Sequence, residues 1–222
     1  MVFYAFSSCN ECFNIEVIKL TIQKNLTIRN FTDKNDSSRI KYIVIHYTGN
    51  DGDTAYSNTK YFKTEYRGAS AHYFVDETSI WQCVLDEDIA WHCGTTGTYY
   101  HKECRNTNSI GIELCSKKKD GKYYIPEETI ERAIELINYL RQLYNIPIEN
   151  ILRHYDVTHK NCPAPFVEDK TQWDNFLEKI KYYDEKNKKV NCFMNKYIDT
   201  YGEEIVDKAL RKIFDYEEFL NK

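Results

Sequence analysis

The sequence predicts an α/β protein with a small C-terminal helical appendage, and three observations carry that expectation. Two short runs dense in β-branched and other apolar residues, 40–46 and 109–115, have the character of buried strands. Segments 54–66, 126–144 and 170–183 carry helix start signals or apolar residues at helical spacing, so strand-like and helix-like stretches alternate. With 222 residues and ordinary apolar content (42%), the chain can bury one full-size core and a minor extra unit. The expected organisation is an N-terminal extension over 1–25, one domain over 26–183, and a helical segment over 184–222.

In the extension, Val17, Leu20 and Ile22 alternate loosely, compatible with an edge strand over 15–22. Residues 33–38 are polar loop. The strand at 40–46 is broken sharply by Thr48-Gly49-Asn50-Asp51-Gly52-Asp53, after which Thr54 caps a helix running to 66 and stopped by Gly68. Residues 71–76 and 80–85 read as two strands about the turn Asp76-Glu77-Thr78-Ser79. Residues 86–108 form a long irregular segment rich in Trp, His, Gly and Tyr, and loops of that length in compact domains are usually functional or mobile. Along 109–115, alternation puts Ile110, Ile112 and Leu114 on one face and Gly111, Glu113 and Cys115 on the other. Pro126, Glu127 and Glu128 open a helix to about 144, with Ile130, Ala133, Ile134, Ile137 and Tyr144 inward. Residues 148–154 form a short segment, and Pro163 and Pro165 break the chain. Trp173, Phe176, Leu177 and Ile180 share one face of the helix at 170–183. The charged run Asp184-Glu185-Lys186-Asn187-Lys188-Lys189 reads as a linker, followed by Cys192-Phe193-Met194 and an amphipathic helix over 203–220.

A net charge of -4 argues against a nucleic-acid binder working through bulk positive charge, and no apolar run reaches the roughly 20 residues of a spanning helix. The apolar start, residues 1–6, is short and lacks a basic flank, so no signal peptide is expected. The eight cysteines are therefore expected to be mostly reduced thiols, and Cys9-Asn10-Glu11-Cys12, lacking a partner pair, is a weak metal-knuckle signal.

The chemistry concentrates in residues 152–163, Leu-Arg-His-Tyr-Asp-Val-Thr-His-Lys-Asn-Cys-Pro. His154 offers an imidazole, Cys162 a thiol, and Lys160 a cation beside it, which favours thiolate. A catalytic metal needs a third ligand, and His46 at the end of the 40–46 strand is the best donor. The combination reads as a two-His-one-Cys zinc centre with an open fourth position, as expected of a hydrolytic site. A lone strand-end histidine is ordinarily just a polar terminus, and on pattern alone His72, His92, His101 or His159 could replace His46. Glu113 lies on a strand otherwise suited to the interior. It is either a solvated edge residue or a base facing the groove, since a zinc hydrolase needs a group to take the proton of the attacking water. Lys160 is either a solvated surface lysine or a stabiliser of a developing oxyanion.

Five motifs occur in the order seen in zinc-dependent N-acetylmuramoyl-L-alanine amidases. They are Ile43-Val44-Ile45-His46-Tyr47-Thr48, Ser70-Ala71-His72-Tyr73-Phe74-Val75-Asp76, Ala90-Trp91-His92-Cys93-Gly94, Ser109-Ile110-Gly111-Ile112-Glu113-Leu114, and Arg153-His154-Tyr155-Asp156-Val157-Thr158 through Lys160-Asn161-Cys162-Pro163. The chain resembles the branch shared by phage endolysins, bacterial autolysins and peptidoglycan recognition proteins over residues of roughly 40–166. The resemblance implies a mixed central sheet flanked by helices, with zinc at the floor of a substrate groove. By motif position it implies His46, His154 and Cys162 as zinc ligands, Glu113 as catalytic base, Lys160 polarising the substrate carbonyl, and Trp91 and His92 lining the groove. The implied reaction is hydrolysis of the amide joining the lactyl group of N-acetylmuramic acid to L-alanine in bacterial peptidoglycan. One departure is Ala71, where some relatives carry a functional tyrosine. Alternation would put Tyr73 on the same face, but its role is not transferred, which leaves the general base to Glu113. His72, turned the other way, is expected to be structural.

Two other readings stand beside this one. A non-catalytic peptidoglycan-binding module with bound zinc would typically lack the thiolate ligand, which this chain keeps. A structural zinc site in an interaction protein would usually close with four protein ligands, and only three converge by motif. The expected setting is an endolysin-like protein made in the cytoplasm and acting on the wall after release, or a non-classically secreted autolysin. No nucleic-acid or membrane partner is expected. The tail could serve wall binding or dimerisation, leaving monomer and dimer both open.

Overall fold

The computed structural model describes the backbone of residues 5–9, 12–16, 20–94, 98–202 and 205, and the side chains of 20–94, 98–185, 199–202 and 205. In chain order the strands are β1 (Ala5–Cys9), β2 (Cys12–Glu16), β3 (Ile22–Lys24), β4 (Phe31–Thr32), β5 (Tyr42–Tyr47), β6 (Tyr73–Val75), β7 (Ile80–Gln82), β8 (Ile89–Ala90), β9 (Ser109–Leu114), β10 (Lys117–Lys119), β11 (Lys122–Tyr124) and β12 (Ile151–Arg153). The helices are α1 (Ala55–Thr64), α2 (Glu127–Tyr144), α3 (His154–Thr158), α4 (Ala164–Glu168) and α5 (Lys170–Tyr201). The chain divides into two units, and the candidate site lies in the larger, Leu20–Lys181. In the other, β1 and β2 form an antiparallel hairpin with Cys9 opposite Cys12.

The larger unit is built on a six-stranded sheet in the order β12-β5-β9-β6-β7-β3. The first four strands run parallel, β6 and β7 form the expected antiparallel hairpin, and β3 adds in parallel at the edge, so the sheet is mixed. Central parallel strands are covered on both faces and accept only continuous apolar runs. This is why Ile43, Val44 and Ile45 of β5 and Ile110, Ile112 and Leu114 of β9 are all fully buried. The β5–β9 register pairs His46 with Glu113, and the β6–β9 register pairs Phe74 with Glu113. Paired residues of parallel neighbours share a face, so the imidazole and the carboxyl stand side by side near the carboxyl ends of their strands.

The helices follow local rules. Thr54 caps α1 through a box with Ser57, its hydroxyl accepting from the Ser57 N–H at 3.1 Å and the Ser57 hydroxyl accepting from the Thr54 N–H at 3.2 Å. A second group, Asp76 Oδ2 from the β6–β7 turn, accepts the Ala55 N–H at 2.7 Å, tying the helix start to the sheet. Helix α2 begins after Pro126 and ends at Asn145 in the left-handed region. Ala133, Ile134, Leu136, Ile137 and Leu140 are its buried apolar residues, while Ile130 and Tyr144, expected to point inward, are only half-buried. Trp173, Phe176 and Ile180 of α5 are buried, and the Phe166 ring of α4 packs at a tilt against the first two.

Three expectations need correction. The stretch assigned to an extension over 1–25 contributes β3 to the central sheet, and the strand expected over 15–22 is instead two, β2 in the hairpin and β3 at the sheet edge. The run at 184–189, read as a linker, lies inside α5. It contains neither Gly nor Pro, and charged residues with straight side chains are good helix formers. Ala71 and Tyr73 do not share a face: Ala71 packs with Phe74 and Cys115, whereas the Tyr73 hydroxyl reaches Asp86 Oδ1 at 2.6 Å. Regular alternation starts only at Tyr73, where β6 begins. Apart from residue 205, the helix expected over 203–220 lies outside the described residues, as do the side chains of Cys9, Cys12 and Cys192. Among the described residues, no helix is long and apolar enough to cross a membrane. Cys83, Cys93, Cys104, Cys115 and Cys162 are buried free thiols.

Candidate active site

Three parallel strands deliver the candidate site at their carboxyl ends, the usual place for ligands on such sheets. His46 is the penultimate residue of β5, Glu113 the penultimate residue of β9, and His154 follows β12 directly as the first residue of α3. Cys162 comes from the turn after α3, whose backbone is anchored by the Tyr155 N–H donating to the Cys162 carbonyl at 2.9 Å. The ligand atoms of His46, His154 and Cys162 lie within 4.8 Å of one another, and all three residues are buried. The rings of His46 and His154 meet edge-on at 4.7 Å, and Cys162 Sγ lies 3.8 Å from His46 Nδ1.

The donor set fits a metal ion on one specific ground: both ring nitrogens of buried His154 lack a hydrogen-bond partner. A buried polar group left unpaired costs about 1–3 kcal/mol, a cost that metal coordination removes. Two imidazoles and a thiol with ligand atoms this close together are a donor set of the kind that zinc accepts. Burial, and then the nearby charges of His154, His92 and Lys160, hold His46 well below the usual histidine range. Burial and Lys160 bring His154 down to about 3. Both imidazoles are therefore neutral at pH 7, with lone pairs available. Burial pushes the Cys162 thiol up to about 12, against a smaller pull from Lys160. Thiolate at this position needs the charge of a bound cation.

Glu113 is partly open, yet its Oε2 is shielded from solvent and has no partner. Burial pushes the carboxyl up to about 8, with Lys160 pulling it down and Asp53 adding to the rise. Lys160 itself is exposed, yet close enough to bias all four groups. Beside Glu113 opens a cavity of about 510 Å³ lined by Thr48, Asn50, Asp53, Asn58 and Phe74 among others. Its polar wall is organised by Asp53, which accepts from Thr48 Oγ1 at 3.0 Å, Asn50 Nδ2 at 2.9 Å and Asn58 Nδ2 at 2.6 Å. Sequence reasoning did not single these residues out. The available signal was their position, a polar break directly after a buried parallel strand.

The structure separates the six histidines. His72 Nδ1 accepts the Gly111 N–H at 3.0 Å and its Nε2 faces the Asp88 carbonyl at 3.3 Å, so it is a structural core group, as expected. His101 Nδ1 accepts the Cys104 N–H at 2.9 Å. His159 is exposed and stacks on Tyr100 at 3.5 Å. His92, expected in the substrate groove, is instead buried behind His46: its Nδ1 lies 3.0 Å from His46 Nε2, and its Nε2 lies 3.1 Å from Ser109 Oγ. An imidazole this deep needs partners for both nitrogens, and it finds them inside. Trp91, half-buried, donates its indole N–H to Thr32 Oγ1 at 3.0 Å, and neither residue lines the cavity beside Glu113.

Fold and site define a class: a mixed α/β sheet bearing a buried His-His-Cys centre and a carboxyl at the ends of adjacent parallel strands. Residues 36–165 match the N-acetylmuramoyl-L-alanine amidase family, and the chain belongs to it. It is 36% identical over 167 residues to a probable N-acetylmuramoyl-L-alanine amidase of Bacillus licheniformis, covering 69% of this chain and 46% of that one. It is 35% identical over 168 residues to N-acetylmuramoyl-L-alanine amidase CwlL of the same organism, again covering 69% and 46%. The chain thus spans about half the length of the curated relatives it matches. The solved structure of PlyL superposes with a TM-score of 0.60 at 27% identity, covering 72% of this chain and 96% of that one.

Proposed function

We propose that this chain is a zinc-dependent N-acetylmuramoyl-L-alanine amidase that cuts the amide between N-acetylmuramic acid and L-alanine in bacterial peptidoglycan. The observation that carries the reading is the buried His46, His154 and Cys162 cluster, with both nitrogens of His154 unpartnered, beside the unpartnered Glu113 Oε2. His46, His154 and Cys162 would hold zinc, which when bound supplies a Lewis acid that polarises the scissile carbonyl and makes water more acidic. Glu113 takes the proton of the attacking water and returns it to the leaving amine of alanine. Positive charge from Lys160, and from a cation at the triad, favours the ionised carboxylate that this base needs. Lys160 stabilises the oxyanion that develops on the attacked lactyl carbonyl. The cavity walled by Thr48, Asn50, Asp53 and Asn58 opens beside Glu113 and receives substrate through neutral amide and hydroxyl groups and one carboxylate.

The test is digestion of purified peptidoglycan by the pure protein, untreated, chelated, and chelated then refilled with zinc. Mass spectrometry is expected to find stem peptides beginning with L-alanine, lost on chelation and restored by zinc. Intact sugar–peptide linkages across several wall chemistries, with one zinc bound per chain, would replace this reading with that of a peptidoglycan-binding module.

A further inference from the structure

His92 sits outside the candidate ligand set, yet it is the only polar side chain recorded against the far nitrogen of His46 among the described residues. Its own far nitrogen contacts Ser109 Oγ at 3.1 Å, and that hydroxyl donates to the Arg105 carbonyl at 2.7 Å. A carbonyl can only accept, so the single hydroxyl proton of Ser109 is spent there. The Ser109 oxygen then accepts from His92, which requires the proton of a neutral His92 ring to be on Nε2. That leaves His92 Nδ1 as a bare acceptor, and the 3.0 Å contact requires His46 to donate from its own Nε2. His46 Nδ1 is consequently the lone-pair nitrogen, and it is the one that lies 3.8 Å from Cys162 Sγ.

The surroundings hold this chain of bonds in place. The His92 and Cys93 N–H groups both donate to Asn106 Oδ1, at 3.1 and 2.8 Å, and the Trp91 N–H donates to Ser70 Oγ at 2.9 Å. The ring lies so close to β9 that a Cβ on Gly111 would stand 2.5 Å from His92 Cγ. Only a glycine at that strand position leaves room for the imidazole.

We propose that the Arg105 carbonyl, Ser109 and His92 form a relay that locks His46 as its Nε2–H tautomer, presenting Nδ1 to the metal and making His92 and Ser109 positioning residues of the centre. The inference rests on the metal-centre reading for its purpose, but the tautomer it assigns exists without metal. An orienting partner behind a histidine ligand typically contributes about 10- to 100-fold in metal affinity.

Two measurements on the full chain test it. Long-range proton–nitrogen correlation spectra of histidine-labelled, metal-free protein are expected to show both His46 and His92 protonated at Nε2. In Ser109→Ala the His92 signal is expected to shift toward a mixture of tautomers, and that of His46 with it. Zinc affinity, measured by competition with a chromophoric chelator, is expected to fall about 10- to 100-fold in His92→Ala. It should largely recover in His92→Asn, whose amide oxygen takes the place of Nδ1. His46 protonated at Nδ1 in the parent, or His92→Ala binding zinc as tightly as the parent, overturns the relay. A parent that takes up no zinc removes the metal-centre reading instead, and the tautomers then decide the relay alone.

Discussion

At the scale of single residues, Glu113 and Gly111 occupy one face of β9 and set two different constraints. Glu113 has a buried oxygen with no partner among the described protein groups, and water, an ion or a substrate group can meet it. The change Glu113→Gln keeps the shape and removes the base. It should retain zinc, checked by metal analysis, and lower turnover on peptidoglycan by about 100- to 10,000-fold. Activity near the parent level would remove Glu113 from the mechanism. Gly111→Ala tests the opposite property, lack of space. The added carbon would collide with the buried His92 ring at 2.5 Å, so the change should cost about 1–3 kcal/mol, read as a lower urea midpoint.

At the scale of elements, the junction of α1 with the β6–β7 turn depends on Asp76. Burial by itself would raise its pKa. The N–H groups of Ala55, Thr78 and Ser79, with the Thr78 hydroxyl, outweigh that and hold it below the ordinary aspartate value. A carboxyl that titrates lower when folded contributes stability fully above about pH 4, and loses it as pH falls through the folded pKa. Asp76→Asn should therefore lower stability near neutral pH by about 1–3 kcal/mol. It should also flatten the acid limb of a Tm-against-pH profile, and an unchanged limb would show that Asp76 is not the titrating group. Helix α5 is anchored differently, by Trp173, Phe176 and Ile180 packed with Phe166. Phe176 is 2% exposed, so Phe176→Ala should cost about 3–5 kcal/mol, measured by denaturant unfolding.

At the scale of the whole molecule, the candidate centre draws its residues from parts of the chain that are far apart in sequence. His46 and Cys162 are 116 positions apart, and His154 arrives on a third segment. An ion that binds all three binds only the folded chain, so zinc should raise the melting temperature and a chelator should reverse the rise. Free zinc at 100 times its Kd corresponds to about 2.7 kcal/mol of added stability. A melting temperature indifferent to both would contradict a shared centre. The same long-range assembly explains why the family match, residues 36–165, starts before β5 and runs past Cys162.

Local patterns in the chain announce the candidate donors and the character of their main supports. Ile43-Val44-Ile45 and the Ile110, Ile112, Leu114 alternation announce buried strands, Pro126 and two glutamates open α2, and the motif around His154 and Cys162 names the donors. Each of these is a local pattern, carried by neighbours along the chain. Tertiary structure alone decided the rest. It set the register that places His46 beside Glu113. It brought His46, rather than any of four competing histidines, beside His154 and Cys162, and it put His92 behind His46. It also split Ala71 from Tyr73 and shaped the polar wall around Asp53. These depend on which strand pairs with which and on what fills the space behind a ring. Such non-local pairing and burial leave no periodic trace in the chain.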